Sequence, residues 1–184
     1  DISLLQKEFQ STQVNGVIQH LSNQKLLLNA KACTCQQSVD LNGSLTSIVF
    51  INPGLNNKSN NYRHAAATAA RLVQKQQPSS VAVGFVSSPN ADTLQQVAEG
   101  IVLGQYQFNQ FKTTDNDMPS VDNWHFHLKT DNAIRIISHA MLCAKGQNIA
   151  RDLANTPANY CTPSMVVDYT KRLAENTSLA VTVI

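Results

Sequence analysis

Charge is what this sequence has least of. Only 14% of its 184 residues are Asp, Glu, Lys or Arg, and the formal net charge is +2. A chain so close to neutral projects no strong field, which argues against nucleic acid and against an anionic membrane surface as partners. Apolar runs are short, and none approaches the roughly 20 residues of a membrane-spanning helix. The opening Asp1-Ile2-Ser3-Leu4-Leu5 lacks the ordered basic and apolar regions of a signal peptide. No Met begins the sequence, so the start is expected to be a processed or cut end. Cysteine is sparse too. Cys33, Cys35, Cys143 and Cys161 are too spread out for a disulfide scaffold. Two of them are expected at buried helix or linker positions, which suits a reducing cytoplasm.

What is present is a large apolar fraction, 42%, with Gln and Asn supplying much of the polar surface. At this length the chain forms one good-sized domain, or one domain and a piece of another, and can bury its apolar surface without staples.

The hydrophobic pattern gives an alternating order of elements. Val14–Leu21 reads as a short amphipathic helix and Leu26–Leu28 as a brief buried run. Asn29–Gly43 is polar and without period, and reads as a loop holding one edge strand at most. Leu45–Ile51 is a buried strand stopped by Asn52-Pro53-Gly54. Tyr62–Gln76 carries Tyr62, Ala65, Ala66, Ala69, Leu72 and Val73 at helical spacing, with Arg63 off that face, and Pro78 closes it. A second buried strand spans Val81–Val86. Asp92-x-x-Gln95 has the pattern of a capping box and opens a helix running to Tyr106. Trp124–Leu128 alternates as a strand, and Asn132–Ala154 reads as a helix of about six turns. Ser164–Glu175 is a further helix, and Leu179–Ile184 an apolar strand in need of neighbours. Strand and helix in alternation predict an α/β domain with parallel pairing of the central strands.

Candidate chemical sites are few. Cys33-x-Cys35 would be half of a thiolate metal site, but Cys143 and Cys161 lack the spacing of a second pair. His125 and His127 share one face of a strand, the geometry of a two-histidine ligand pair. A solvated face opposite Trp124, Phe126 and Leu128 accounts for them more simply. Gly54 and Gly84 adjoin strands, yet neither lies in a G-x-G-x-x-G or Walker pattern. No Ser, His and Asp are paired into a triad by the sequence. Arg151 and Asp152 fit polar contacts that fix a helix end better than a catalytic role.

The most individual stretch is Asn148-Ile149-Ala150-Arg151-Asp152-Leu153-Ala154-Asn155-Thr156-Pro157-Ala158-Asn159-Tyr160-Cys161-Thr162-Pro163. Pro157 stiffens a turn and pushes Thr156 out of the α region. Thr162-Pro163 is a good N-cap and first helical position. This joint resembles the segment linking the two domains of the leucyl aminopeptidases, a cytosolic two-metal exopeptidase family. Ala98-Glu99-Gly100-Ile101-Val102-Leu103-Gly104-Gln105-Tyr106-Gln107-Phe108-Asn109-Gln110-Phe111-Lys112 likewise resembles a helix end of that family.

The resemblance implies a three-layer, macro-like α/β sandwich with a mixed, partly parallel sheet. A long linker helix and the first helix and strand of a truncated catalytic domain would follow. The implied divisions are 1–131 for the N-terminal domain, 132–163 for linker helix and joint, and 164–184 for the start of the catalytic domain. In the family, two divalent metals (zinc, manganese or magnesium) are held by a lysine, three aspartates and a glutamate, partly within an Asn-Thr-Asp-x-Glu-Gly-Arg motif. That motif does not occur in this sequence. The resemblance thus implies no catalytic, cofactor-binding or metal-binding residue here; the metals would belong to the catalytic domain. The parent would be a cytoplasmic homo-hexamer releasing N-terminal residues from peptide substrates, this part serving assembly and site access. The alternatives are a stand-alone macro-like module for a nucleotide or ADP-ribose, which lacks its Gly-rich loop, and a DNA-binding accessory domain, which lacks a basic stripe.

Overall fold

The computed structural model describes residues 33–41, 44–54, 61–85, 88–113, 118–128, 132–175 and 177–183. The expected helix at 14–21 and the run at 26–28 lie outside them. In chain order the elements are β1 (Cys33–Leu41), β2 (Ser44–Asn52), α1 (Asn61–Gln74), β3 (Ser80–Val83), α2 (Ala91–Gly104), β4 (Asn123–Phe126), α3 (Ala133–Asn155) and α4 (Pro163–Ala174). The chain divides into two compact units, one up to Lys145 and one from Gly146. Among the described residues no helix is long and apolar enough to cross a membrane.

Among the described residues the architecture is mixed α/β, with four helices, one antiparallel strand pair and one parallel pair. Among the described residues, β1 and β2 form an antiparallel ladder from Cys33 opposite Asn52 to Leu41 opposite Ser44. β3 and β4 pair in parallel, Ser80 beside Asn123 through Val83 beside Phe126. Nine residues at 33–41 thus form a strand where the sequence reads mainly as loop. Their polar run carries no period, and the partner strand β2 supplies the ladder hydrogen bonds that local pattern cannot reveal. β2 ends as expected: Gly54 takes φ 84° and donates its N–H to Asn52 Oδ1 at 2.9 Å.

The short parallel pair is less buried than its apolar composition suggests. Val81 and Val83 are half-buried and Ala82 is exposed, so β3 alternates rather than being covered on both faces. Parallel pairing needs a crossover, and α2 provides it between β3 and β4.

The core of the first unit is made of small residues. Ala66, Ala69 and Ala70 of α1 face Leu94, Ala98 and Ile101 of α2, and among the described residues Leu94 is the one large side chain that is fully enclosed. The buried face of α1 is turned from the expected one. It ends in Gln74, while Tyr62 stands 40% exposed. The start of α2 also differs. Asn90, not Asp92, is the N-cap, its side chain accepting from Thr93 N at 2.8 Å. Asp92 lies inside the first turn and accepts from Gln96 Nε2 at 2.7 Å. An Asx side chain in extended backbone just after Pro89 satisfies the free N–H groups earlier than the Asp92 pattern would.

α3 buries Ala133, Ala140 and Ala144, while Ile134, expected on the apolar stripe, is 83% exposed. Consecutive positions are about 100° apart on a helix, so only one of Ala133 and Ile134 can face the core.

In the second unit α4 begins as the sequence predicts. Thr162 caps it, accepting from Met165 N at 3.3 Å, with Pro163 in the first turn. Residues 179–183 form no ladder among the described residues. The expected strand there is apolar enough, but a strand exists only where a neighbour supplies its hydrogen bonds.

Candidate functional site

The crossing of α1 and α2 is the most specifically built place in the first unit. Glu99, nearly buried, forms an ion pair with Arg63 and accepts from Gln95 Nε2 at 2.8 Å. The next residue, Gly100, faces the Arg63 carbonyl so closely that no side chain would fit between the two backbones. One turn on, a Cβ at Gly104 would meet Ala67 Cα at 2.7 Å and Ala67 O at 2.5 Å. Ala98-Glu99-Gly100, part of the block that carried the family resemblance, therefore has a physical task. The alanine is buried, the glutamate is paired, and the glycine lets the helices touch.

A second set of contacts positions β4, and its members are glutamines. Gln74 Nε2 donates to the carbonyls of Met118 at 3.3 Å and Pro119 at 3.4 Å. Gln107 donates to Met118 O at 2.7 Å and accepts from Met118 N at 3.3 Å. Gln105 Oε1 accepts from Val121 N at 2.7 Å. Side-chain amides thereby replace a sheet ladder along 118–121 and deliver the chain into β4. Sequence reasoning missed these roles and the Arg63–Glu99 pair. The only available signal was that Gln and Asn together outnumber the charged residues.

A cavity of about 120 Å³ lies between Ala98 and Ile101 of α2, Trp124 and Phe126 of β4, and Ile137 and Met141 of α3, with Asp122 its one charged lining residue. Drug-sized ligand pockets run to roughly 300–1,000 Å³ with several convergent polar groups. This one is smaller and has a single charged group. It is a packing gap between a helix pair and a strand.

The sequence candidates separate accordingly. His125 and His127 are exposed, beside half-buried Trp124, Phe126 and Leu128, which is the solvated-face arrangement. The His127 N–H extends the parallel pairing, donating to Val83 O at 3.0 Å. Cys33 and Cys35 stand opposite Asn52 and Phe50 in register. Cys143 is exposed and Cys161 half-buried, both free, so the expectation of buried cysteines fails at Cys143. The stripe that α3 buries passes through its alanines instead. Gly84 is exposed, with open space where a side chain would be. In the second unit, Arg151 reaches Asn148 Oδ1 at 3.2 Å. The Asp152 carbonyl accepts from Thr156 N at 3.0 Å and Thr156 Oγ1 at 2.7 Å. These last bonds go to the Asp152 backbone carbonyl, not its side chain, and close the end of α3 before Pro157. Among the described residues no three His, Cys, Asp or Glu side chains converge on one point.

A helix crossing closed by a glycine contact and an ion pair, beside a small parallel strand pair, defines a mixed α/β domain. Comparison with known proteins gives it a family. The model of the cytosol aminopeptidase family, N-terminal domain, matches residues 11–115. The chain therefore belongs to the cytosol aminopeptidase family and carries its N-terminal domain. A probable cytosol aminopeptidase of Haemophilus influenzae is 36% identical over 80 residues, covering 44% of this chain and 16% of that protein. The cytosol aminopeptidase of Xenopus tropicalis is 32% identical over 120 residues, 65% of this chain and 21% of that protein. In structure, a mutant of tomato leucine aminopeptidase superposes with a TM-score of 0.72 at 22% identity, over 92% of this chain and 34% of that one. The bottromycin maturation enzyme BotP in complex with Mn gives 0.62 at 21%, over 84% of this chain and 32% of that one. The chain thus spans about a third or less of the length of these relatives.

Proposed function

We propose that this chain is the N-terminal, non-catalytic part of a metal-dependent leucyl aminopeptidase, together with its connecting helix and the first helix of its catalytic domain. Residues 1–131 are the macro-like, three-layer domain, 132–163 the linker helix and joint, and 164–184 the opening of the catalytic domain. The parent enzyme hydrolyses the N-terminal residue from peptides in the cytoplasm as a homo-hexamer. This part serves assembly and shapes access to the site.

The match of residues 11–115 to the N-terminal domain of the family carries the reading. The locked crossing at Glu99 and Gly100 adds support, because a rigid scaffold suits a domain that positions others. The side chains described here do not fit the two divalent metals of such an enzyme, since no three candidate ligands converge among them. No step of the hydrolysis is therefore assigned to these residues.

Leucine amide hydrolysis tests the proposal. The purified 184-residue chain, with added zinc or manganese, is expected to show no turnover, and the longer parent protein is expected to show it. Metal-dependent turnover by the chain alone, or none by the parent under any metal, overturns the reading.

A further inference from the structure

We propose that His139 and Cys143 form a two-donor site for a soft divalent cation of the zinc class on the exposed side of α3. The two residues are one helical turn apart, at i and i+4, and so lie on the same face. Cys143 Sγ stands 3.9 Å from His139 Nδ1 and 4.0 Å from Nε2. With bonds of about 2.3 Å to sulfur and about 2.0–2.1 Å to nitrogen, tetrahedral zinc holds its sulfur and nitrogen donors about 3.6 Å apart. The observed separation is within a few tenths of an ångström of that value. Because Sγ is nearly equidistant from the two ring nitrogens, the imidazole must also turn to aim one of them at a shared ion.

Three further features favour the site. Both side chains are exposed, and the thiol is free. The backbone between the donors is held, because Ala140 and Ala144, each about 100° round the helix from the donor before it, are 0% and 1% exposed. The donor chemistry is selective as well. A thiolate and an imidazole prefer zinc-class cations, whereas carboxylate and carbonyl sets suit magnesium, calcium or manganese. The exposed cation Arg135, one turn before His139, lies on this face and acts against a bound cation.

On binding, the Cys143 thiol releases its proton to solvent and Sγ donates an electron pair to the cation. The neutral His139 ring donates a second pair, and no atom changes oxidation state. The two remaining positions of a tetrahedral ion take water. The site is open, and it fastens one turn of α3.

Titration of the whole chain with Co²⁺ and Cd²⁺ under a non-thiol reductant tests the proposal, read as sulfur-to-metal charge-transfer absorption. Cys143→Ala is expected to abolish the band. His139→Ala is expected to weaken cadmium binding by at least about tenfold, since losing even an outer partner of a ligand costs about 10–100-fold. The Cys33→Ser/Cys35→Ser double variant and Cys161→Ser are expected to keep the band. Both test positions are exposed on a helix, so alanine leaves the fold intact, which far-ultraviolet circular dichroism checks. A band that survives in Cys143→Ala, one that vanishes only in the Cys33/Cys35 variant, equal affinity in His139→Ala, or no band at millimolar metal each overturns the site.

Discussion

Gly100 of α2 lies so close to Ala66 of α1 that a Cβ added to the glycine would come within 2.8 Å of the Ala66 Cβ. The nearer neighbour is the Arg63 carbonyl, part of a helix backbone that cannot swing aside. Gly100→Ala should therefore force the helices apart and destabilise the first unit by about 1–3 kcal/mol, the range for overpacked cores. Urea unfolding reads the change as a lower midpoint, and an unchanged midpoint would show that the crossing is loose.

Gly146 offers the opposite case. It sits within α3, exposed, with nothing inside 4 Å of the position a Cβ would take. Gly146→Ala should stabilise the helix by about 0.5–1 kcal/mol through lost chain entropy in the unfolded state. A lowered unfolding midpoint in the same assay contradicts this.

Removing the partner of Arg63 should cost more than an exposed ion pair does. Glu99 is 7% exposed, and Arg63 Nε is already buried without a partner. Glu99→Ala leaves the guanidinium without its carboxylate, at a cost of about 1–3 kcal/mol. The double variant Arg63→Met/Glu99→Leu should recover part of that loss, because an apolar pair strands no charge. Equal stability of the single variant and the wild type would place this pair among those worth little.

The cap of α2 can be located by comparing two side chains. Asn90→Ala should destabilise by about 1 kcal/mol, the usual value for a lost N-cap. Asp92→Ala should cost less, since it removes one side-chain bond from Gln96 and a favourable charge in the first turn, worth about 0.3–1 kcal/mol. A larger loss at Asp92 than at Asn90 reverses the assignment.

Residues 179–183 should exchange their amide hydrogens fastest among the apolar segments described here. Leu179 is 70% exposed and Val183 53%, and among the described residues no strand pairs with them. The β2 amides between Ser47 and Ile51, by contrast, belong to a nine-residue ladder. Hydrogen exchange on a dilute sample gives the comparison. Protection at 179–183 equal to that of β2 would mean that a partner strand covers them.

Much of this protein was legible in local pattern. The strand at 44–52, the helices at 61–74, 91–104, 133–155 and 163–174, and the Thr162 cap all follow from apolar spacing and from Pro and Asx placement, which act within a few residues. The blocks at Ala98–Lys112 and Asn148–Pro163 were specific enough to name the family. Tertiary structure decided the rest. β1 is a strand because β2 lies beside it. Ala133 rather than Ile134 faces the core because the helix can turn only one side inward. Gln74, Gln105 and Gln107 became the ties that hold 118–121, since an amide's partner, 11 to 45 residues away, leaves no trace in the spacing around it. Glu99 and Gly100 stood in the recognised block, but only the approach of α1 showed what they do. One pairs with Arg63, and the other leaves room for its carbonyl.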